Sequence, residues 1–132
     1  MTNQEIQQVI MQVCSIFKTE QKPNRTESFK AGNGARELME RLKQGQRPKQ
    51  KTYDYLNSLD FEVIQMLQTI MYIGRDCYDI DDTVDVYAVK RTELDRRGWK
   101  TKSIEIGQMT QKSQLVKYLM DGWERVKRRP LA

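Results

Sequence analysis

The sequence contains no histidine and has two cysteines, Cys14 and Cys77, among its 132 residues. Histidine is the usual general base and the commonest metal ligand, so its absence excludes histidine-dependent catalysis. Two cysteines without histidine cannot complete a four-ligand zinc site or form a disulfide framework. We therefore predict no cofactor, no metal and no catalytic residue. We also expect reduced thiols in a cytoplasmic protein, with Cys77 a buried structural thiol rather than a nucleophile.

Long hydrophobic runs are also missing. The longest one, Ile70 to Ile73, is far shorter than a membrane span, and residues 1–9 lack the pattern of a secretory signal. A chain of 132 residues is long enough to close one core and rarely two. We expect a single helical domain over residues 1–132 that has no membrane partner.

Charge is distributed in blocks along the chain. Ten basic and four acidic side chains give residues 18–51 a charge of +6, and twelve basic and five acidic ones give residues 90–132 a charge of +7. Residues 52–89 carry −7, from eight acidic side chains and one arginine. If the fold keeps these blocks apart, the surface has fields of opposite sign that can steer a charged partner; if it brings them together, they neutralise each other.

The clearest predicted helix covers residues 3–19. Thr2 and Glu5 have the spacing of a capping box, in which each side chain binds the backbone amide of the other residue. Apolar residues then recur every three or four positions, which places them on one helical stripe. They are Ile6, Val9, Ile10, Val13, Ile16 and Phe17.

A second helix, predicted over residues 60–74, has the composition of a central element. Apolar side chains wrap most of its circumference and leave Gln65, Gln68, Thr69 and Tyr72 as one narrow polar stripe. We expect Asp60 to cap its start and Gly74 to end it in a left-handed conformation. The helices at 3–19 and 110–128 are expected to pack against it. Gly122, inside the last of these, is interpreted as a cost in helix propensity or as a site of close approach by a neighbour.

The other segments are less regular. Residues 20–51 are basic, poor in apolar side chains and predicted to be partly flexible, with a short helix at 34–44 between linkers at 20–32 and 46–51. Residues 79–94 fit a helix better than a strand. Residues 98–107 are predicted to break the helical pattern, with Ile104 and Ile106 flanking Glu105 in a short extended piece.

Five aspartates lie between Asp76 and Asp85. Clustered carboxylates are ligands for Mg²⁺ or Ca²⁺ and can act as a general acid and base, so this cluster is the candidate metal site or enzyme site in the sequence. The cluster lacks the glycine and the closing glutamate of a calcium loop. We favour the interpretation that these aspartates cap a helix. They are Asp76, Asp79, Asp81, Asp82 and Asp85.

Three groups of basic residues are candidate contacts for a partner protein or for nucleic acid. The second group surrounds Trp99, an arrangement in which an indole can stack on a base while cations hold phosphates. Packing of Trp99 over the core is the alternative. The groups are Lys43, Arg47, Lys49 and Lys51; Arg96, Arg97, Trp99 and Lys100; and Arg125, Arg128 and Arg129.

The segment LNSLDFEVIQMLQTIMYIGRD, residues 56–76, resembles the central motif of a bacterial domain-of-unknown-function family, number 3775. The opening helix and the closing LVKYLMDGWERV, residues 115–126, are similar to that family in the same order. The resemblance implies an all-helical fold and gives no activity, cofactor or catalytic residue to transfer.

The sequence therefore predicts an all-α protein, a compact bundle of four to five helices around a central hydrophobic helix. The expected function is that of a small non-catalytic protein-interaction module, an adaptor or inhibitor of a larger bacterial or phage machine. A nucleic-acid-binding protein that contacts the phosphate backbone is the alternative, and a metal-dependent enzyme using the Asp76–Asp85 cluster is the third. Homo-oligomerisation is left open.

Overall fold

Six α-helices account for most of the residues that the computed structural model describes, which are 1–21, 49–76 and 84–131. No strand occurs in these ranges, and the predicted all-α bundle is confirmed. The predicted helix at 34–44 and the predicted linkers, apart from residues 20–21 and 49–51, lie outside the described residues. The helices are α1 (Asn3–Gln21), α2 (Gln50–Asn57), α3 (Phe61–Asp76), α4 (Val86–Arg97), α5 (Lys102–Thr110) and α6 (Leu115–Val126).

Helix α1 begins with the predicted capping box. The Glu5 amide donates to Thr2 Oγ1 at 3.2 Å, and the Thr2 amide donates to Glu5 Oε1 at 3.3 Å. The predicted apolar stripe faces the core, since Ile6, Ile10 and Phe17 are all buried. Local sequence is therefore sufficient to start this helix and to orient it.

The junction of α1 and α2 differs from the prediction of two linkers. Glu20 is still helical and its carboxylate accepts hydrogen bonds from the Lys51 and Thr52 amides, at 3.0 and 2.7 Å, and from Thr52 Oγ1 at 2.6 Å. These amides belong to the first turn of α2, where no partner within the helix is available. Glu20 thus caps a helix that starts 30 residues after it in the chain.

Helix α3 lies at the centre, as predicted, and all residues from Met66 to Gly74 are buried. The predicted polar stripe is buried with the rest of the helix, since Gln68 and Thr69 are both fully buried. Thr69 Oγ1 donates to the Gln65 carbonyl at 2.7 Å, which satisfies its hydroxyl inside the helix. Neighbouring helices therefore cover the polar side of α3 as well as its apolar side.

Gly74 does not end α3. The helix continues to Asp76, and in the described residues the glycine with a positive φ is Gly98. A Cβ on Gly74 would lie 1.8 Å from the Tyr118 carbonyl oxygen, and one on Gly122 would lie 1.9 Å from the Ile70 carbonyl oxygen. The two glycines are therefore where α3 and α6 touch backbone to backbone, and the close approach predicted for Gly122 is confirmed.

The order of these contacts makes α3 and α6 antiparallel, and they form the most extensive helix pair among those described. Helix α1 packs on α2 and α6, α4 packs mainly on α3, and α5 packs on α2 and α3. Among the residues described, no helix has both the length and the apolarity needed to cross a bilayer.

Residues 98–101 break the helical pattern as predicted, but residues 102–110 form α5, so the predicted extended piece around Glu105 is wrong. Thr101 Oγ1 accepts a hydrogen bond from the Ile104 amide at 3.4 Å, which caps α5. Ile106 and Met109 are buried three residues apart, a helical spacing that the alternation of Ile104 and Ile106 concealed. Because α5 runs to Thr110, α6 begins at Leu115, later than the predicted start at Thr110 and close to the alternative start at Ser113.

Candidate functional site

The C-terminal end of α4 exposes three of the predicted contact residues. Arg96, Arg97 and Lys100 are exposed, and between them the chain leaves the helix through Gly98 at a φ of 91°. The Gly98 amide donates to the Leu94 carbonyl at 3.0 Å, which completes the last turn. A positive φ favours glycine, so this turn fixes where the side chains on either side of it lie.

Trp99 packs against the core and is half-buried, which agrees with the packing alternative. Its indole Nε1 donates to Asp95 Oδ1 at 2.7 Å. The guanidinium carbons of Arg91 and Arg97 lie 5.7 and 5.5 Å from the ring centroid. Its ring therefore already contacts two cations, and a base that stacked there would have to displace at least one of them.

The Trp99 hydrogen bond, together with Arg91, lowers the pKa of the Asp95 carboxyl below its ordinary value. The bond favours the ionised form, so its stabilising effect is present above the ordinary aspartate pKa and is lost as the pH falls through the lowered one. We expect the ¹³Cγ resonance of Asp95 to titrate at a pH below the ordinary aspartate range. Trp99→Phe should move the midpoint towards the ordinary value, and an unchanged midpoint would show that the indole is not the cause.

Arg97 joins α4 to α5. Its Nη2 lies 3.5 Å from Oε2 of Glu105, whose side chain is 1% exposed while that of Arg97 is 43% exposed. A buried carboxylate is costly unless it is paired, and in the described residues Arg97 is its one cationic partner. This pair holds the start of α5 beside the end of α4.

Replacement of Arg97 tests that pairing. Arg97→Ala is expected to lower the free energy of unfolding by about 1–2 kcal/mol, because it leaves the Glu105 carboxylate buried without a cation. The measurement is urea denaturation followed by circular dichroism. Glu105→Gln in the Arg97→Ala background should recover part of the loss. Equal and additive losses from the two substitutions would contradict a direct pairing.

A second aromatic ring collects three cations. Around Tyr72, the guanidinium carbons of Arg75 and Arg97 lie 4.5 and 5.9 Å from the ring centroid, and Lys112 Nζ lies 5.7 Å from it. We call these four residues the Tyr72 cluster. It unites the end of α3, the end of α4 and the turn between α5 and α6.

Sequence reasoning identified Arg97 and missed the other three members of the Tyr72 cluster. Tyr72 and Lys112 are 40 residues apart, and no local spacing relates them. The available signal was a basic side chain at or just after the end of each helix, but it does not say which helix ends meet. Tyr72 itself was assigned to a polar stripe, whereas it is 7% exposed.

The remaining predicted contacts are not gathered at the Tyr72 cluster. Lys49 Nζ lies 5.1 Å from the centroid of the Phe17 ring, near the C-terminal end of α1, and burial lowers the pKa of its ammonium. Lys51 is exposed beside it, while Lys43 and Arg47 lie outside the described residues.

Arg128 and Arg129 lie towards the other end of α1, whereas Arg125 Nη1 donates to the carbonyl of Ile73, the residue after Tyr72, at 3.2 Å. The Asn3 side-chain Nδ2 donates to the Arg129 carbonyl at 2.8 Å, whereas Gln21 Nε2 donates to the Ser113 carbonyl at 2.7 Å. The length of α1 therefore separates Lys49 and Lys51 from Arg128 and Arg129 by roughly 27 Å. The three arginines and residues 84–87 line a cavity of about 120 Å³.

The two described members of the aspartate cluster have other partners. Asp85 Oδ1 accepts a hydrogen bond from the Ala88 amide at 3.0 Å and caps α4. Asp76 binds Arg75 at 2.7 Å and Lys90 at 3.5 Å, and the hydrogen bond from Arg75 holds the pKa of the Asp76 carboxyl below its ordinary value. Asp79, Asp81 and Asp82 lie outside the described residues. Within the described ranges, no three candidate ligands come together in a possible metal site.

Cys14, the cysteine that the structure describes, is buried and unbridged, and burial raises the pKa of its thiol above the ordinary value. A raised thiol pKa disfavours the nucleophilic thiolate. Cys77 lies outside the described residues.

No family model matches the chain, and neither a curated protein nor a solved structure is significantly similar to it. The resemblance to domain-of-unknown-function family 3775 therefore stays a prediction.

Proposed function

We propose that this protein is a small non-catalytic interaction module that binds a partner protein through the outer face of α4. The observation that carries the proposal is that α4 buries one of its 12 residues, Leu94, and turns apolar and basic side chains outward. Val89 is 59% exposed, and it lines a shallow groove. We call this groove the α4 face; it comprises Ala88, Val89, Thr92, Glu93 and Arg96.

The composition of the α4 face favours a protein over a nucleic acid. Protein interfaces combine an apolar centre with arginine, whereas nucleic-acid interfaces are more polar and much more basic. The α4 face has Val89 and Ala88 beside one arginine and one glutamate. Such a surface suits an adaptor or an inhibitor that needs a rigid helix on a packed bundle and no chemistry of its own. A cytoplasmic location stays a prediction from the low cysteine content.

The α4 face is tested by a double substitution, Val89→Glu with Arg96→Glu. We expect it to reduce recovery of the partner at least tenfold in affinity capture from native cells, quantified by mass spectrometry. The matched control is Met120→Glu with Lys117→Glu, which makes the same chemical changes on the exposed side of α6. Equal recovery with the two double variants, both shown by circular dichroism to be folded, would refute the α4 face as the binding surface.

Nucleic-acid binding is the second candidate, and the position of Arg97 favours it. This side chain contacts both Trp99 and Tyr72 and is exposed next to Lys100, so several cations meet at one corner. Binding to a single strand would weaken as salt rises, with a slope of about 0.7 per phosphate neutralised. Absence of binding to labelled DNA and RNA at low salt would exclude this candidate and leave the α4 face unaffected.

A further inference from the structure

Three positive side chains from separate parts of the chain converge on Tyr72. Arg75, Arg97 and Lys112 each lie within 6 Å of the same ring centroid. Like charges repel, and the attraction of each cation to an aromatic face is worth only about 0.5–2 kcal/mol. The fold therefore brings cations together at a point where a further negative charge would be stabilised.

Side-chain carboxylates offset part of this charge. Asp76 pairs with Arg75 and also with Lys90, and Glu105 pairs with Arg97. Lys112 has no carboxylate partner among the described residues. Counting Lys90, which also pairs with Glu93, four cations face three carboxylates, so this group of side chains keeps one positive charge in excess.

One hydroxyl group adds to the donors. Within the described part of the chain, the Tyr72 hydroxyl has no hydrogen-bond partner and is available to an incoming acceptor. Arg75 and Arg97 are both accessible, with 40% and 43% of their side chains exposed. A ligand at this place would meet two guanidinium groups, one ammonium group and one hydroxyl group.

From this geometry we propose that the Tyr72 cluster binds a phosphate monoester. Guanidinium groups recognise oxyanions through paired hydrogen bonds, and a phosphate monoester carries about −1.5 to −2 charges on three acceptor oxygens. A carboxylate has two acceptor oxygens, one fewer than a phosphate monoester offers to the donors present. The site shares no residue with the α4 face, so its success or failure is separate from that of the proposed function.

The experiment is an NMR titration of the full-length ¹⁵N-labelled chain at pH 7, with chloride used to keep the ionic strength constant. The ligand arms are inorganic phosphate, phosphoserine, a nucleoside 5′-monophosphate and, as the carboxylate control, acetate. We expect saturable phosphate-dependent shifts centred on residues 72–75, 97 and 112, with a Kd on the order of 1 mM for inorganic phosphate. Acetate is expected to bind at least tenfold more weakly.

Two substitutions and a control separate a specific site from general charge. Lys112→Gln should weaken phosphate binding at least tenfold, and Tyr72→Phe, which keeps the ring, should weaken it several-fold. Lys127→Gln removes the same charge at the opposite end of α6, about 18 Å away, and should leave the Kd unchanged.

The outcomes divide clearly. A lower Kd for phosphoserine or for the nucleotide supports the site and identifies the source of its phosphate, and equal values for all three phosphates support it with the free ion as ligand. The proposal is overturned if phosphate gives no saturable shifts, if acetate binds equally well, or if Lys127→Gln weakens binding as much as Lys112→Gln.

Discussion

Gly74→Ala is expected to destabilise the protein by about 3 kcal/mol or more, the upper part of the range for overpacked cores. The added Cβ would lie 1.8 Å from the Tyr118 carbonyl oxygen and 2.8 Å from the Gly122 amide nitrogen. Both atoms belong to the backbone of α6, so a change of side-chain rotamer cannot relieve the contact. The helices would have to separate at the centre of the bundle, where α3 is completely buried.

A loss of stability in Gly74→Ala would show that the two helices touch there, because without that contact alanine would stabilise the helix by about 1 kcal/mol relative to glycine. Gly107→Ala, in α5, is the matched control: no atom lies within 4 Å of its added Cβ, so it should stabilise the protein. Chemical denaturation of the two variants should thus shift the midpoints in opposite directions. Stabilisation by both would show that α3 and α6 do not touch at Gly74. Gly122→Ala should behave like Gly74→Ala, since its Cβ would meet the Ile70 carbonyl oxygen at 1.9 Å.

The same glycines show how far the sequence alone can predict this fold. A glycine near the end of an apolar stretch is typical of a left-handed helix end, and that rule predicted Gly74 to end α3. The alternative, close contact with another helix, depends on a residue 44 positions later, Tyr118. Local rules succeeded where both partners are close in sequence, as with Thr2 and Glu5, and failed where the partner came from elsewhere in the chain.

The candidate sites follow the same division. The exposure of Arg96, Arg97 and Lys100 was predictable from their place after the last apolar residue of a helix. The Tyr72 cluster was not, since its members come from residues 72–75, 97 and 112 and meet only when three helix ends pack together. The helix after Gly98 was missed because two isoleucines alternate about Glu105, a pattern typical of a strand, while burial of Glu105 against Arg97 is a tertiary effect.

The second large effect is expected at Glu20, the residue that caps α2 from the end of α1. Glu20→Ala should lower the free energy of unfolding by about 2–3 kcal/mol, because hydrogen bonds to a charged group contribute more than neutral ones. The carboxylate accepts from the Lys51 and Thr52 amides and from the Thr52 hydroxyl. Thr52 is fully buried, so water cannot easily replace the lost acceptor.

Hydrogen exchange locates the loss. The amides of residues 51 and 52 should exchange much faster in Glu20→Ala, while those of the α3 centre keep protection close to the global stability. Glu20→Gln keeps one carbonyl acceptor and should fall between wild type and alanine, and Glu124→Ala, which removes an exposed carboxylate paired with Lys127, should have almost no effect. If Glu20→Ala is no more destabilising than Glu124→Ala, the contact does not hold the two helices together. If Glu20→Ala lowers the free energy of unfolding as expected, the Glu20 carboxylate is the group that holds residue 20 next to residue 51, at the two ends of the basic segment.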